Sequence, residues 1–375
     1  MQSKRWVVPL VLACMLLAQP AGALSYPLTI SYGRSWPMSL VVDSARGLIY
    51  VDAVSGENPP EGYTFGIIDA ITHALVKTLP LNELSGPMVL DQATGDVFVG
   101  GNTTIAVLGG KNQTFVQQFS VGRPILSMAH DGSVSPDIFF TSGAQLFAVD
   151  PQTGVIVGNA TFGSYADGVA VDPSNGRVYV GLYPSPQIAV LDASSLSQVG
   201  TIALPACCAL QLSLDQKTQT LYSATGTNYV YAVDAATDTY LRELQVTASP
   251  QNSTNFVVAD SETGGVFVAT SPGGSIVEID GTTGAIRATF NVPTQVAGIA
   301  LDTSTQELYA TNYHQLTVFD VGRGHGYLLL LILAASLIVA SVIVILVVMK
   351  WRESRATKSV YSNGQPAGPT VLGAA

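Results

Sequence analysis

The fold is decided by a stretch that recurs along the chain, GVAVDPSNGRVYV (168–180). Its pattern is a short apolar strand, an Asp, a polar turn and a second strand that carries Tyr or Phe. The related stretches are SLVVDSARGLIYV (39–51), PMVLDQATGDVFV (87–99), QLSLDQKTQTLYS (211–223), FVVADSETGGVFV (256–268), GIALDTSTQELYA (298–310) and the degenerate SMAHDGSVSPDIFF (127–140). Apolar strands around a turn at regular intervals predict a repeat protein built from β-hairpins.

The spacing of the copies indicates how many strands each unit has. The Asp residues of the seven copies are 40 to 48 residues apart: Asp43, Asp91, Asp131, Asp172, Asp215, Asp260 and Asp302. A second Asp follows at the end of a third strand, at Asp69, Asp150, Asp192, Asp234, Asp280 and Asp320, and Gly109 takes its place in the second unit. A turn and a fourth strand come next. Four strands in each of seven units predict an all-β, seven-bladed β-propeller over residues 24–322.

The seventh unit lacks a fourth strand. It stops after LTVFDV (316–321), whereas PLTISY (27–32) precedes the first full unit and has nothing else to pair with. We expect this N-terminal strand to close the ring as the outer strand of the last blade, because closure removes two exposed sheet edges.

The N-terminus has the pattern of a signal peptide. Lys4 and Arg5 precede an apolar run from Trp6 to Leu17, and Ala21-Gly22-Ala23 forms a small-residue cleavage site. We expect residues 1–23 to be removed, and an uncleaved signal anchor is the alternative.

The C-terminus has the pattern of a membrane anchor. After a linker at 323–326, Tyr327 to Met349 is an uncharged run dominated by Leu, Ile and Val, long enough to span a bilayer as one helix. The basic residues that follow place 350–375 in the cytoplasm as a disordered tail. The prediction is a single-pass protein of the cell membrane, with its N-terminus outside and its C-terminus inside.

Charge limits the partners of the segment outside the cell. The net charge of −10 includes about +2 on the signal segment and about +3 on the tail, which leaves about −15 between them. Such an acidic domain is unsuited to nucleic acid, which needs clustered Lys and Arg. We expect no cofactor. The predicted partners are the lipid bilayer, through one helix, and an extracellular protein or glycan. Four Asn-x-Ser/Thr sequons predict glycosylation, at Asn102, Asn112, Asn159 and Asn252.

Three stretches resemble the YVTN-type β-propeller repeat: VYVGLYPSPQIAVLDASSLSQVGTIALP (178–205), LYSATGTNYVYAVDAATDTYLRELQV (221–246) and LYATNYHQLTVFDVG (308–322). No unit contains the Tyr-Val-Thr-Asn sequence itself, and the nearest is Tyr309-Ala310-Thr311-Asn312. The resemblance implies a membrane-anchored surface protein whose fold is similar to lactonase-like and quinoprotein-like propellers. A WD40 propeller is disfavoured, because Trp occurs only at positions 6, 36 and 351.

The two faces of the expected propeller are unequal. We call top the face with the loops that precede first strands and join second to third strands. The third strand of the seventh blade ends at the opposite face, which we call the bottom. Only Gly322 to Gly326 separate the end of this strand from the membrane helix, so we expect the bottom to face the membrane. The candidate ligand-binding residues of the top face are Tyr63 in a loop at 52–66, Arg123, Tyr165, Tyr183, Tyr229, Tyr313 and His314. Ordinary loop packing is the alternative for the tyrosines.

Two functions remain open on the sequence. The first is a binding or envelope scaffold module, and the second is an extracellular, lactonase-like hydrolase. We favour binding because no catalytic residue set or metal-ligand spacing is visible, so we assign no catalytic and no metal-binding residues. A cavity lined by converging acids, His or Arg would favour the hydrolase. The repeated Asp residues fit hairpin turns better than a ring of metal ligands. Cys207 and Cys208 are either a vicinal disulfide or two thiols that pack as small hydrophobes.

Overall fold

The computed structural model describes residues 27–32, 35–55, 62–81, 85–130, 132, 138–249 and 251–322. The strands in chain order are β1 (Leu28–Ser31), β2 (Trp36–Asp43), β3 (Leu48–Ser55), β4 (Gly62–Asp69), β5 (Leu75–Leu81), β6 (Ser85–Leu90), β7 (Val97–Gly101), β8 (Thr104–Gly109), β9 (Thr114–Ser120), β10 (Ser127–His130), β11 (Ile138–Ser142), β12 (Gln145–Val149), β13 (Ile156–Thr161), β14 (Tyr165–Asp172), β15 (Arg177–Tyr183), β16 (Gln187–Asp192), β17 (Gln198–Ala203), β18 (Leu212–Asp215), β19 (Thr220–Ala224), β20 (Tyr229–Asp234), β21 (Thr239–Gln245), β22 (Ser253–Asp260), β23 (Gly265–Ser271), β24 (Ser275–Asp280), β25 (Ile286–Asn291), β26 (Val296–Asp302), β27 (Glu307–Asn312) and β28 (Gln315–Asp320).

These strands form seven four-stranded antiparallel sheets within the described chain. Blades 1 to 6 follow chain order from β2–β5 to β22–β25, and blade 7 has the order β26-β27-β28-β1. The first strands of consecutive blades contact one another around a circle, in the order β2, β6, β10, β14, β18, β22, β26 and back to β2. The prediction of an all-β, seven-bladed propeller is therefore confirmed.

The repeated aromatic residue of each second strand holds neighbouring blades together. Each one is buried in a hydrophobic cluster that it shares with the following blade: Tyr50, Phe98, Phe139, Tyr179, Tyr222, Phe267 and Tyr309. Tyr179 of blade 4, for example, packs with Leu212 and Leu221 of blade 5. Burying one large apolar side chain contributes roughly 1.5–3 kcal/mol, so the seven clusters are the main force that closes blade on blade.

The repeated Asp residues organise the hairpin turns of the bottom face. The carboxylate of Asp172 accepts a hydrogen bond from the Ser174 amide at 3.0 Å, and Asp302 accepts one from the Ser304 amide at 2.9 Å. Asp43, Asp91, Asp215 and Asp260 bond turn amides in the same way. The turn interpretation is confirmed for these six, whereas Asp131 lies outside the described residues. In the part of the chain that is described, no group of three or more His, Cys, Asp or Glu could hold a metal ion.

The predicted loop 52–66 is wrong at both ends. Strand β3 continues to Ser55 and β4 begins at Gly62, and the hairpin is extended by the pairing of Val54 with Tyr63. The Gly and Pro residues between these strands suggested a longer loop than the cross-strand packing leaves.

The sequence-based predictions for the two ends of the chain lie outside the described residues. They are the signal peptide 1–23, the linker 323–326, the transmembrane helix 327–349 and the tail 350–375. Among the described residues, no helix is long and apolar enough to cross a bilayer.

Candidate functional site

The innermost strands are interrupted by β-bulges near the ends at which they begin. As far as the chain is described, register shifts occur in five first strands: between Pro37 and Leu40, Ser85 and Met88, Ala166 and Val169, Thr254 and Phe256, and Val296 and Gly298. A bulge leaves one or two residues out of the ladder and redirects their side chains. The residues left out are Met38, Ser39, Gly86, Pro87, Asp167, Gly168, Asn255 and Ala297.

The residues left out of the ladders all line one central cavity. Its volume is about 530 Å³, and every blade contributes to its wall through its first strand or the segment just before it. Most of the wall is apolar, with Met88, Ile125 and Met128 among its side chains. Asp167 is the one ionisable side chain among the described lining residues, and burial raises the pKa of its carboxyl group. The cavity is thus a small-molecule-sized space whose lining combines apolar side chains with neutral polar groups and one carboxyl group.

Side chains from neighbouring strands hold the bulged backbone in place. The Thr311 hydroxyl of blade 7 donates to the Met38 carbonyl of blade 1 at 2.9 Å, and the Thr141 hydroxyl of blade 3 donates to the Asp167 carbonyl of blade 4 at 2.6 Å. The amide of Ser39 donates to the buried carboxylate of Asp52. Since these bonds satisfy groups that the ladder leaves unpaired, the cavity wall is a fixed surface.

Blades 4 and 5 approach each other very closely at the cavity wall. A Cβ atom on Gly168 would overlap the Leu210 carbonyl, and one on Gly181 would overlap the Ala209 carbonyl. The segment that carries these carbonyls directly follows Cys207 and Cys208, which form a vicinal disulfide. Cys208 is buried beside this contact, which fits the structural role expected from the sequence.

A second pocket opens beside the central cavity, between blades 6, 7 and 1. Its volume is about 370 Å³, and it shares Met38, Asn255, Phe256 and Ala297 with the wall of the central cavity. The other lining residues are Trp36, Pro37, Gln295, Val296, Asn312 and Tyr313. We call this space the aromatic pocket.

Two of the predicted site residues lie at the aromatic pocket. The half-exposed Tyr313 lines it and packs edge-on against Trp36, with ring centroids 5.5 Å apart. His314 lies next to both rings, and its Nδ1 atom is 3.3 Å from the Ser35 carbonyl oxygen. The structure therefore gathers Tyr313 and His314 around Trp36, a residue to which the sequence analysis gave no role.

The other predicted site residues are spread over the top of the propeller. Tyr165 and Tyr183 are cross-strand partners in blade 4, both well exposed. Arg123 lies 4.1 Å above the Phe147 ring, so part of its surface is taken up by packing. Tyr63 and Tyr229 are half-buried at the starts of β4 and β20. None of these five lines the central cavity or the aromatic pocket.

Three of the four sequons are accessible for attachment of a glycan. Asn102, Asn112 and Asn159 are exposed, whereas Asn252 is half-buried in the segment before β22. Their use as glycosylation sites remains a prediction.

The sequence analysis missed the residues that build the cavity. A signal was present, because Pro37, Gly86-Pro87, Gly168 and Gly298 interrupt inner-strand patterns, and Gly or Pro inside a strand often marks a bulge. Asn255, Phe256 and Trp36 carried no such signal. Their position depends on three blades meeting, which no local pattern encodes.

Comparison with known proteins supports the fold alone. The chain matches no known family model and no curated protein sequence. Its fold is similar to that of many solved structures. One of them is the crystal structure of the β-propeller domain of Myceliophteria thermophila Cps50 (Swd1), with a TM-score of 0.68. The two chains share 11% sequence identity, and the match covers 78% of this chain and 100% of that one.

Proposed function

We propose that this chain is a cell-surface β-propeller, anchored by one membrane helix, that serves as a binding or envelope scaffold module for an extracellular protein or glycan. The observation that carries the proposal is the pair of neighbouring pockets that the bulged inner strands build at the top of the ring. Their described lining residues combine apolar and neutral polar groups with a single ionisable side chain, which suits recognition of a ligand by shape and hydrogen bonding.

The same lining argues against the lactonase-like alternative. Hydrolysis needs a general base, an acid or a metal positioned in one pocket. Asp167 stands without a second ionisable side chain among the described residues of the central cavity wall, and the described residues of the aromatic pocket carry no charge. No specific observation therefore favours the hydrolase.

We further propose that the chain is a divergent YVTN-type propeller. Support comes from Tyr309-Ala310-Thr311-Asn312, in which Tyr309 packs towards blade 1 and Thr311 bonds the Met38 carbonyl of blade 1. The motif thereby has a physical role in joining one blade to the next.

Closure of the ring by the N-terminal strand belongs to the same proposal. It is supported by the antiparallel pairing of β1 with β28, in which Leu28 lies opposite Val318 and Ser31 opposite Gln315. Leu28 and Ile30 also pack against the cluster shared by blades 7 and 1. The first strand thus supplies the edge that the seventh unit lacks.

Single cysteines test the proposed location and orientation. Tyr165→Cys marks the top and Thr282→Cys marks a turn of the bottom, and both positions are exposed in the propeller. A membrane-impermeant maleimide coupled to polyethylene glycol should label Tyr165→Cys quickly and Thr282→Cys slowly on intact cells. If neither variant were labelled, the surface location would be contradicted. If Thr282→Cys were labelled faster than Tyr165→Cys, the proposed orientation would be contradicted.

The labelled cells also test binding. We expect the bulky label at Tyr165→Cys to prevent the full chain from capturing extracellular protein or glycan, and the label at Thr282→Cys to leave capture unchanged. Equal capture by both labelled proteins would mean that the top face is not the binding surface.

A further inference from the structure

Three buried polar atoms around the aromatic pocket have no hydrogen-bond partner among the residues that the structure describes. Asn312, at the end of β27, is 1% exposed, and neither its Nδ2 nor its Oδ1 atom has a hydrogen-bond partner among the described residues. The buried Nε1 of Trp36 also lacks one. Because a buried donor or acceptor without a partner destabilises a fold, three of them at one pocket indicate groups kept for a ligand.

The rest of the pocket is neutral and mixes aromatic faces with amides. Trp36, Tyr313 and Phe256 supply the rings, and Asn255 and Gln295 supply further amide groups. No Lys, Arg, Asp, Glu or His is among its described lining residues. A phosphate or a carboxylate would lose its hydration here without gaining an opposite charge.

We infer that the aromatic pocket binds a neutral sugar residue. This inference rests on the proposed binding function and names its ligand class. A pyranose ring has apolar faces that pack on aromatic rings, while each of its hydroxyl groups both donates and accepts hydrogen bonds. Neighbouring hydroxyls bond the Asn312 amide, which offers a donor and an acceptor side by side, and a further hydroxyl accepts the Trp36 N–H. An apolar peptide side chain would leave all three groups unpaired.

Tyr313 is placed beside the buried amide, at the aromatic pocket. It directly follows Asn312, is 50% exposed and contacts Trp36 only at the ring edge. Since the polar atoms of Asn312 are shielded from solvent, a lining side chain must turn aside before a ligand reaches them. Tyr313 is the most exposed of the three lining rings, and we therefore assign this movement to it.

Two variants separate a ligand-binding role from a structural one. Asn312→Leu keeps the size of the side chain but removes two unpaired polar atoms, so we expect its thermal midpoint to equal or exceed that of the native chain. Tyr313→Ala changes a half-exposed ring in a turn and should leave the thermal midpoint nearly unchanged. Leu241→Ala removes an exposed side chain from the outer strand of blade 5, away from both pockets, and is the matched control.

The experiment measures binding of neutral disaccharides to the full chain in lipid nanodiscs by calorimetry and Trp fluorescence. The probes are cellobiose, chitobiose, mannobiose, maltose and lactose, with a glucuronate disaccharide as the acidic control and Asn- and Gln-containing neutral peptides as the protein-like control. We expect at least one neutral disaccharide to bind, and both pocket variants to weaken its binding by at least about tenfold. Leu241→Ala should bind as the native chain does.

Three outcomes would overturn the inference and leave the proposed function standing. The first is binding of peptides but of no disaccharide, which would make the pocket a peptide site. The second is disaccharide binding that neither pocket variant weakens. The third is a large fall in the thermal midpoint of Asn312→Leu without loss of binding, which would make Asn312 a structural residue. Failure of the proposed function would instead be visible in the labelled Tyr165→Cys protein, as unchanged capture of extracellular material.

Discussion

At the scale of single residues, the bottom hairpins depend on the fifth position of each Asp turn. This position has a positive φ, with Gly47, Gly176 and Gly264 at about 65° but Gln219 at 52° and Gln306 at 57°. Each Gln side chain donates to the carbonyl three residues earlier, at 3.1 Å in both turns. That exposed bond offsets little of the steric cost of the left-handed region, which only glycine avoids.

Exchanging Gln and Gly at this position tests the turn. We expect Gln219→Gly to raise the free energy of unfolding by about 0.5–1 kcal/mol, because relief of steric strain exceeds the added chain entropy. The reverse change, Gly176→Gln, should lower it by a similar amount. Thermal melts of the full chain in detergent measure both, and a destabilised Gln219→Gly would mean that its side-chain bond dominates.

Acid should weaken the turns between third and fourth strands. The Ser194 hydroxyl, followed by the Ser195 amide and hydroxyl, lowers the pKa of Asp192 to about 2. The Thr283 amide, followed by Arg287, lowers the pKa of Asp280, and turn amides lower the pKa of Asp69 and Asp150. A carboxylate with a lowered folded-state pKa stabilises the fold above its unfolded pKa of about 4, and that stability disappears as pH falls through the folded value.

The expected pH profile has a plateau and a single acid limb. The thermal midpoint should change little from pH 7 to about 5 and fall between about pH 4 and 2. Asp192→Asn should melt below the native chain at pH 7, and the difference should shrink as pH falls below about 4. A difference that stays constant down to pH 2 would show that the Asp192 charge has no part in the turn.

At the scale of elements, the bulged inner strands determine what the cavity looks like and how tightly the blades meet. Gly168 lies in the bulge of β14, where a Cβ atom would overlap the Leu210 carbonyl. Because backbone atoms of two blades form this contact, neither side can move without shifting a strand.

Substitution of Gly168 tests that contact. We expect Gly168→Ala to lower the free energy of unfolding by roughly 1–3 kcal/mol, which is the usual cost of overpacking. Gly163→Ala is the matched control, since nothing lies within 4 Å of its added Cβ atom, and it should change stability by less than about 0.5 kcal/mol. Thermal melts of both variants make the comparison, and equal effects would show that the blades can separate at Gly168.

Strands and turns could be predicted from the sequence, whereas the site could not. Alternating apolar residues and the turn Asp residues repeat within each unit, so seven copies of a local signal combined to indicate the propeller. The bulge of β22 adds Asn255 without Gly or Pro to mark it, so the sequence pattern does not reveal it. The sequence pattern identifies Tyr313 and His314 as loop residues, but their association with Trp36 arises from the meeting of blades 7 and 1.

At the scale of the whole molecule, polar contacts reinforce the junction between the last blade and the first. His73 of blade 1 and Glu307 of blade 7 are buried with Nε2 and Oε2 3.2 Å apart, and the Tyr309 hydroxyl donates to the same carboxylate at 2.6 Å. The Thr311 bond to Met38 crosses the same boundary. The junction therefore combines a hydrophobic cluster with buried polar bonds.

Removal of the carboxylate tests how much this junction contributes. We expect Glu307→Ala to lower the free energy of unfolding by about 3 kcal/mol, because it leaves His73 and the Tyr309 hydroxyl buried without this acceptor. The control is Glu262→Ala, which removes an exposed pair with Lys217 whose atoms are 4.0 Å apart, and it should cost less than about 1 kcal/mol. Thermal melts of both variants measure the difference. Similar losses of unfolding free energy in Glu307→Ala and Glu262→Ala would show that the junction tolerates disruption of the His73–Glu307 pair.

The pairing of β1 with β28 has a consequence for synthesis of the protein. Of the described strands, β1 comes first in the chain and its hydrogen-bonding partner β28 comes last, so β1 is synthesised long before β28. A nascent chain that has not yet reached residue 315 can fold its early blades one by one, but it must carry the first strand unattached until β28 is delivered. Premature termination within the domain therefore leaves β1 without its partner, and the exposed sheet edge is a feature that chaperones and proteases can recognise.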